Sequence, residues 1–110
     1  MARTFIAPNK YIQGPGEMGR LGTYVVLLGT KALVLISAGG LRRTGPIIEA
    51  SFADAASGFA FEAFDGECTT AEIERIMVAA KDASADVIVG VGGGKIFDTA
   101  KGAAYYLDIP

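Results

Sequence analysis

The sequence predicts an α/β fold built on a parallel sheet with helices on both faces. Three observations predict it. Short apolar runs alternate with amphipathic segments along most of the chain, the pattern that parallel strands and their crossover helices leave in a sequence. The run Ala32–Ile36, ALVLI, is apolar without alternation, as a strand covered on both faces should be. The run Val87-Ile88-Val89 ends in glycines at 90, 92, 93 and 94, and a helical pattern begins at Lys95, so a strand, a turn and a helix start follow one another.

Taken in order, Thr4–Ala7 and Lys10–Gln13 are short runs separated by Pro8-Asn9, which reads as a small antiparallel hairpin. Gly14-Pro15-Gly16 breaks the chain. Glu17–Leu28 places Met18, Leu21, Val25 and Leu28 on one helical face, and Gly29 supplies a stop. The β-branched pair Val25-Val26 favours a strand instead, but the helix is the better reading. After the Ala32–Ile36 strand, Ser37–Arg43 is expected to be a loop. Gly45-Pro46 then opens a helix over Ile47–Ala56, with proline near its first turn, and Ser57-Gly58 ends it. Phe59–Phe64 reads as a strand whose Phe59, Phe61 and Phe64 serve packing.

Asp65–Cys68 is a turn. Thr69-Thr70-Ala71-Glu72 has capping-box spacing for a helix over Ala71–Ala83. Ile73, Ile76, Met77 and Ala80 form its buried stripe, whereas Glu72, Glu74, Arg75 and Lys81 read as a solvated face. Asp86–Gly90 is the next strand and Lys95–Leu107 the last helix, in which Ala100, Ala103 and Ala104 allow close packing. Asp108-Ile109-Pro110 reads as the entry to a further strand. The sum is a Rossmann-like parallel sheet flanked by helices, with an N-terminal β-hairpin. Ligands in such sheets bind at the carboxyl ends of strands, where the 37–43 and 90–95 loops both fall.

Composition narrows the function. The chain has 110 residues, about half of them hydrophobic, and a net charge of −2. It is long enough for one domain with a modest core. It has no basic patch, and nucleic-acid binding therefore lacks its electrostatic footprint. No stretch is long and apolar enough for a membrane span, and MARTFIAPNK lacks the apolar centre of a secretory signal. One cysteine, Cys68, fits a reducing cytoplasm and has no neighbouring base to activate it. The chain contains no histidine, which excludes imidazole acid–base catalysis and a histidine-ligated metal within it.

The chemistry concentrates in Val87–Lys101, VIVGVGGGKIFDTAK. Glycines let a ligand approach the backbone, and the first N–H groups of the following helix form an anion site. Lys95 adds a formal charge, and Asp98, about one turn in, can accept a ligand hydroxyl. The phosphate loop G-x-x-x-x-G-K-[ST] does not fit, because Val89 stands at its first glycine and Ile96 at its Ser/Thr. The dinucleotide fingerprint G-x-G-x-x-G starts at Gly90 and Gly92 but meets Lys95 where its third glycine belongs.

GVGGGKIFDTAK instead resembles the G-G-G-[KS]-x-x-D-x-A-K signature of the iron-containing (group III) alcohol dehydrogenase superfamily. Within it, the lysine variant followed by D-T-A-K is most similar to the glycerol dehydrogenases. Lys10-Tyr11-Ile12-Gln13-Gly14, Gly66-Glu67-Cys68 and Glu72-Ile73-Glu74-Arg75 agree with that resemblance, which runs from about residue 6 to the end.

The resemblance implies hydride transfer between glycerol, a small polyol, and NAD, giving dihydroxyacetone. It implies that Gly92, Gly93, Gly94 and Lys95 line the cofactor pyrophosphate and that Asp98 helps to hold the nicotinamide-ribose side. It also implies a homo-oligomer in the cytoplasm and a zinc ion or another divalent metal as Lewis acid in the full-length enzyme. The family's metal ligands, an aspartate and two histidines, belong to a helical C-terminal domain that is not in these 110 residues. No catalytic or metal-ligating residue is therefore assigned here, and residues 1–110 are expected to be an incomplete dinucleotide-binding domain, inactive alone.

One departure stands out. After the Leu33–Ile36 strand, NAD-preferring members carry an acidic residue that binds the adenosine ribose diol, whereas this chain has Ser37 and Ala38, followed by Arg42 and Arg43. Ser37 is thus the ribose-side candidate, and NADP stands beside NAD as cofactor. Three readings remain open: part of a polyol dehydrogenase, a relative such as dehydroquinate synthase or glycerol-1-phosphate dehydrogenase, and a non-catalytic nucleotide-binding remnant.

Overall fold

A computed structural model describes residues 17–53, 55, 57–64 and 66–110. The hairpin expected over 4–13 lies outside the described residues. A short 3-10 turn, Glu17–Arg20, leads into α1 (Leu21–Val26), followed by β1 (Lys31–Ile36) and α2 (Ala38–Ala53). Then come β2 (Gly58–Ala63), α3 (Thr70–Asp82), β3 (Val87–Val91) and α4 (Gly94–Leu107). The three strands form one sheet in the order β2-β1-β3, and both pairings are parallel.

β1 is the strand around which the two cores form. Ala32 through Ile36 are all buried, and successive side chains alternate between the faces. Leu33 and Leu35 meet Ile76 and Ala80 of α3, Ile96, Ala100 and Ala103 of α4, and Phe64. Ala32, Val34 and Ile36 meet Val25 of α1, Ile48 and Phe52 of α2, and Val87. Removing a Leu, Ile or Val side chain fully from water contributes roughly 1.5–3 kcal/mol, so these residues outweigh any single polar contact. The lack of alternation in ALVLI thus has the cause expected of it.

The first helix is shorter than its pattern. Val25 is buried, with Leu21 and Leu28 packed beside it, but the helix gives way to a turn at Leu27 before Gly29. Glycine at 22 lets α1 lie directly on α2: its N–H donates to Ser51 Oγ (3.2 Å), and a Cβ there would lie 2.3 Å from the Ser51 carbonyl oxygen.

The largest difference from expectation is α2. Residues 38–43 are helix, not loop, and Pro46 lies inside the helix rather than at its start. Its end also differs, since α2 stops at Ala53 and β2 already begins at Gly58. Gly39, Gly40, Thr44, Gly45 and Pro46 are poor helix formers, which hid the early start. The helix forms because Ser37 Oγ accepts the Gly40 N–H (3.0 Å) and the Ser37 carbonyl accepts the Leu41 N–H (2.8 Å). Its apolar side then buries Ile48 and Phe52.

The other helices start where expected to within a residue. Thr69 Oγ1 accepts the Glu72 N–H (3.1 Å) and caps α3. Gly102 of α4 faces Ile73 of α3, where a Cβ would lie 2.8 Å from Ile73 Cδ1, so the two helices pack closely. The charges of α3 are not all a solvated face. Arg75 donates to Glu72 (2.7 Å), to Glu62 of β2 (2.6 Å) and to the Ala63 carbonyl (2.8 Å). Its hydrogen bond lowers the pKa of Glu72, and the network ties α3 to the edge strand. Phe59 stacks on Phe52 with centroids 4.7 Å apart and meets Phe61 edge to face, while Phe64 enters the other core.

At the amino ends of the strands, Asp86 organises the backbone. Its carboxylate accepts the N–H of Lys31 (2.8 Å) and of Thr30 (2.9 Å) and the Thr30 hydroxyl (2.9 Å). These bonds, the one from Lys31 foremost, depress its pKa below the ordinary 3.8 against the opposing effect of burial. At the other end of the chain the Ile88 N–H donates to the Pro110 carbonyl (2.8 Å), so residues 108–110 do approach the outer edge of β3, without forming a strand. Among the described residues, no helix is long and apolar enough to cross a membrane.

Asp86→Ala is expected to destabilise the fold by about 1–2 kcal/mol, since it strands the partly buried Lys31 N–H and removes the exposed bonds from Thr30. Because the folded-state pKa is depressed, the Asp86 contribution is present above the unfolded value near 3.8 and is lost as pH falls through the folded value. Urea unfolding at pH 7 and at pH 3 should show a smaller difference between wild type and variant at the lower pH.

Candidate functional site

The strand order makes a crevice. From β1 the chain moves to one neighbour through α2, and after β2 it crosses to the other neighbour through α3. α2 packs on the face of Ala32, Val34 and Ile36, and α4 on the face of Leu33 and Leu35. The chain therefore leaves β1 and β3 toward opposite faces at their carboxyl ends, which is a topological switch point. The last paired residues there are Ile36 and Val91, on strands about 4.8 Å apart. Ser37 and Gly92 follow immediately on either side.

Three glycines of this turn have different reasons to be glycine. Gly92 has φ of +142°, a backbone conformation that demands glycine; a Cβ on it would also come within 2.7 Å of Ile96 Cδ1, the end of a side chain that can shift. Gly93 has φ of −94°, open to any residue, and neither Gly93 nor Gly94 has an atom within 4 Å of where a Cβ would stand. Nothing inside the chain requires glycine at 93 or 94. What their lack of side chains provides is open space over the first turn of α4.

That turn also lacks a cap. The first hydroxyls before α2 and α3, Ser37 and Thr69, accept amide hydrogens from those helices. Gly93, at the N-cap of α4, offers no side chain, and the first bond to its carbonyl comes from Phe97 (3.1 Å). The N–H groups of Gly94, Lys95 and Ile96 precede that first helical bond and have no intrahelical acceptor. Gly92 through Lys95 are exposed, and the positive end of the helix dipole lies at this turn.

The remaining candidates flank the turn. Lys95 Nζ lies 2.6 Å from the Glu67 carboxylate, both side chains being nearly two-thirds exposed. Glu67 comes from the segment before α3, 28 residues away, and no local pattern linked the two. Such an exposed pair stabilises little, so the lysine is held near the turn without being consumed by the fold. Asp98 is exposed on the next turn of α4, 3.6 Å from Lys101 Nζ. Ser37 accepts the Gly40 N–H and keeps a hydroxyl proton to donate. Gly92, Gly93, Gly94, Lys95 and Asp98 thus share one helix start, and Ser37 stands across the crevice. Among the described residues, no three His, Cys, Asp or Glu side chains converge as a metal site, and Cys68 is exposed.

Residues 8–109 match the iron-containing alcohol dehydrogenase family. A glycerol dehydrogenase of Escherichia coli O6:H1 is 38% identical over all 110 residues, which are 30% of its own length. A glycolaldehyde reductase of Halobacterium salinarum is 36% identical over 92% of this chain and 28% of its own. The crystal structure of a probable glycerol dehydrogenase from Sinorhizobium meliloti 1021 superposes with a TM-score of 0.80 at 42% identity, over 98% of this chain and 29% of that one. The chain thus spans about 30% of the length of curated glycerol dehydrogenases it matches.

The division among the glycines is testable. Gly92→Ala should lower stability by about 1–3 kcal/mol through backbone strain. Gly93→Ala and Gly94→Ala should stay within about 0.5 kcal/mol of wild type, as substitutions with no contact to break do. Chemical denaturation of the three variants separates the two cases.

Proposed function

The chain belongs to the iron-containing alcohol dehydrogenase family, and on that premise we propose that it is the dinucleotide-binding portion of a metal-dependent polyol dehydrogenase acting between glycerol and a nicotinamide dinucleotide, NAD or NADP. The observation that carries this reading is the open, uncapped start of α4 under Gly93 and Gly94. A pyrophosphate is the group such a place suits: it accepts several N–H bonds at once, carries negative charge, and needs room that side chains would fill.

The residues divide the work. The amides of Gly94, Lys95 and Ile96 hold the pyrophosphate oxygens, and Gly92 sets the direction of the turn. Lys95 exchanges its exposed pair with Glu67 for the phosphate charge. Asp98, one turn further on, accepts a hydroxyl from the nicotinamide-side ribose, and Ser37 lies at the opposite ribose. When bound, the nicotinamide supplies the hydride acceptor or donor. The residues described hold no metal site, and the chain has no histidine, so no metal-dependent step is assigned to it. We place Lewis-acid activation of the polyol, and turnover, in the full-length enzyme. By the same family reading, the enzyme is a homo-oligomer of the cytoplasm.

Titration of the chain with NADH, followed by the nicotinamide fluorescence, is expected to show saturable binding. Gly94→Val should abolish it while leaving the circular dichroism spectrum unchanged, because the added side chain meets no protein atom but fills the pyrophosphate position. Binding that survives Gly94→Val would move the cofactor away from α4 and overturn the assignment.

A further inference from the structure

We propose that this crevice selects the 2′-phosphorylated dinucleotide, NADP(H), over NAD(H), and that Arg42 and Arg43 of α2 make the selection. The proposal rests on the dinucleotide reading above and deepens it at the ribose nearest Ser37.

Two forms of ribose ask for opposite chemistry. The free 2′,3′-diol of NAD donates hydrogen bonds, and sites that prefer it provide a carboxylate to accept them, whereas an arginine accommodates a 2′-phosphate. From Ser37 to Ile48 the chain contains no aspartate or glutamate. Ser37 Oγ, at the end of β1, already accepts the Gly40 N–H. A diol arriving there finds no carboxylate.

What it does find is cationic. Since α2 begins at Ala38, the two arginines lie in its first turns rather than in a loop. Their guanidinium groups turn back toward the crevice end of the helix: a Cβ on Gly39 would lie 3.2 Å from Arg43 Nη1 and 3.8 Å from Arg42 Nη2. Both groups therefore gather over Gly39, two residues beyond Ser37, where the absence of a side chain leaves them room. Both residues are exposed, and among the described residues neither is in an ion pair with a carboxylate. Two planar donors converging on one small volume suit a phosphate monoester, which accepts bidentate bonds and carries more charge than a phosphodiester. The early start of α2 is thus what converts two surface arginines into a pair aimed at one point.

Fluorescence titration of the 110-residue chain with NADPH and NADH in parallel tests this. NADPH is expected to bind roughly tenfold or more tightly than NADH, the scale of one or two charge-assisted bonds. The double variant Arg42→Ala, Arg43→Ala should lose that preference without weakening NADH. Ser37→Asp should weaken NADPH selectively. Adenosine 2′,5′-bisphosphate should displace NADPH better than AMP does, whereas inorganic phosphate at the same concentration should not, which separates a ribose phosphate from a free anion. Equal affinity for the two dinucleotides, a preference for NADH, or a preference that survives the double variant overturns the proposal and leaves the dinucleotide site standing. Binding of neither, by a chain that circular dichroism shows folded, overturns both.

Discussion

Burial of β1 on both faces is the constraint on which the rest of the structure depends. A strand whose consecutive residues Ala32–Ile36 are all withdrawn from water needs a helical layer above it and another below. With 110 residues, the chain meets both demands by sending α1 and α2 to one face and α3 and α4 to the other. That division requires consecutive crossovers to go to opposite neighbours of β1. The crevice between Ser37 and Gly92 is where those departures diverge, so the site follows from how the core is covered.

The polar contacts then refine what burial dictates. Arg75 ties α3 to β2 through Glu62 and the Ala63 carbonyl, which fixes the edge strand that β1 alone would hold by one ladder. Close approaches at Gly22 and Gly102 bring helices together without a side chain between them. None of these contacts touches the crevice. The residues at its rim, by contrast, are little engaged by the described residues: Lys95 pairs with the exposed Glu67 and Asp98 with the half-buried Lys101, and Gly93 and Gly94 leave the space where a Cβ would stand empty.

Much of this was legible in the sequence because it rests on local pattern. The apolar run 32–36, the glycine turn before Lys95 and the Thr69 cap each declare themselves within a few residues. The start of α2 did not, since its first nine residues include three glycines and a proline, and two hydrogen bonds accepted by Ser37 decide against their propensity. Asp86 was readable only as a strand residue, because the donors it accepts lie 55 and 56 residues earlier. The pairing of Lys95 with Glu67 and the bridging by Arg75 are likewise products of topology. Candidate site residues were found from the glycine pattern and from resemblance; the geometry that distinguishes Gly92 from Gly93 and Gly94 required backbone angles.

The two ends of the sheet treat their backbone donors in opposite ways, and this contrast argues for function more strongly than the glycine count does. At the amino end, one carboxylate from Asp86 takes up the amides of Thr30 and Lys31 and the Thr30 hydroxyl, so donors there are satisfied within the chain. At the carboxyl end, α4 begins on a residue that has no side chain to offer, beside two more positions where a side chain would have met nothing or would have been strained. A serine, threonine or aspartate at 93 would cap α4 and stabilise it by about 1 kcal/mol. α2 and α3 both have such a hydroxyl. Of the three helices that follow a strand, α4 is the one that forgoes it, and it does so at the switch point of the sheet, where the absent cap leaves its first amides without a side-chain acceptor and makes room for the pyrophosphate proposed above.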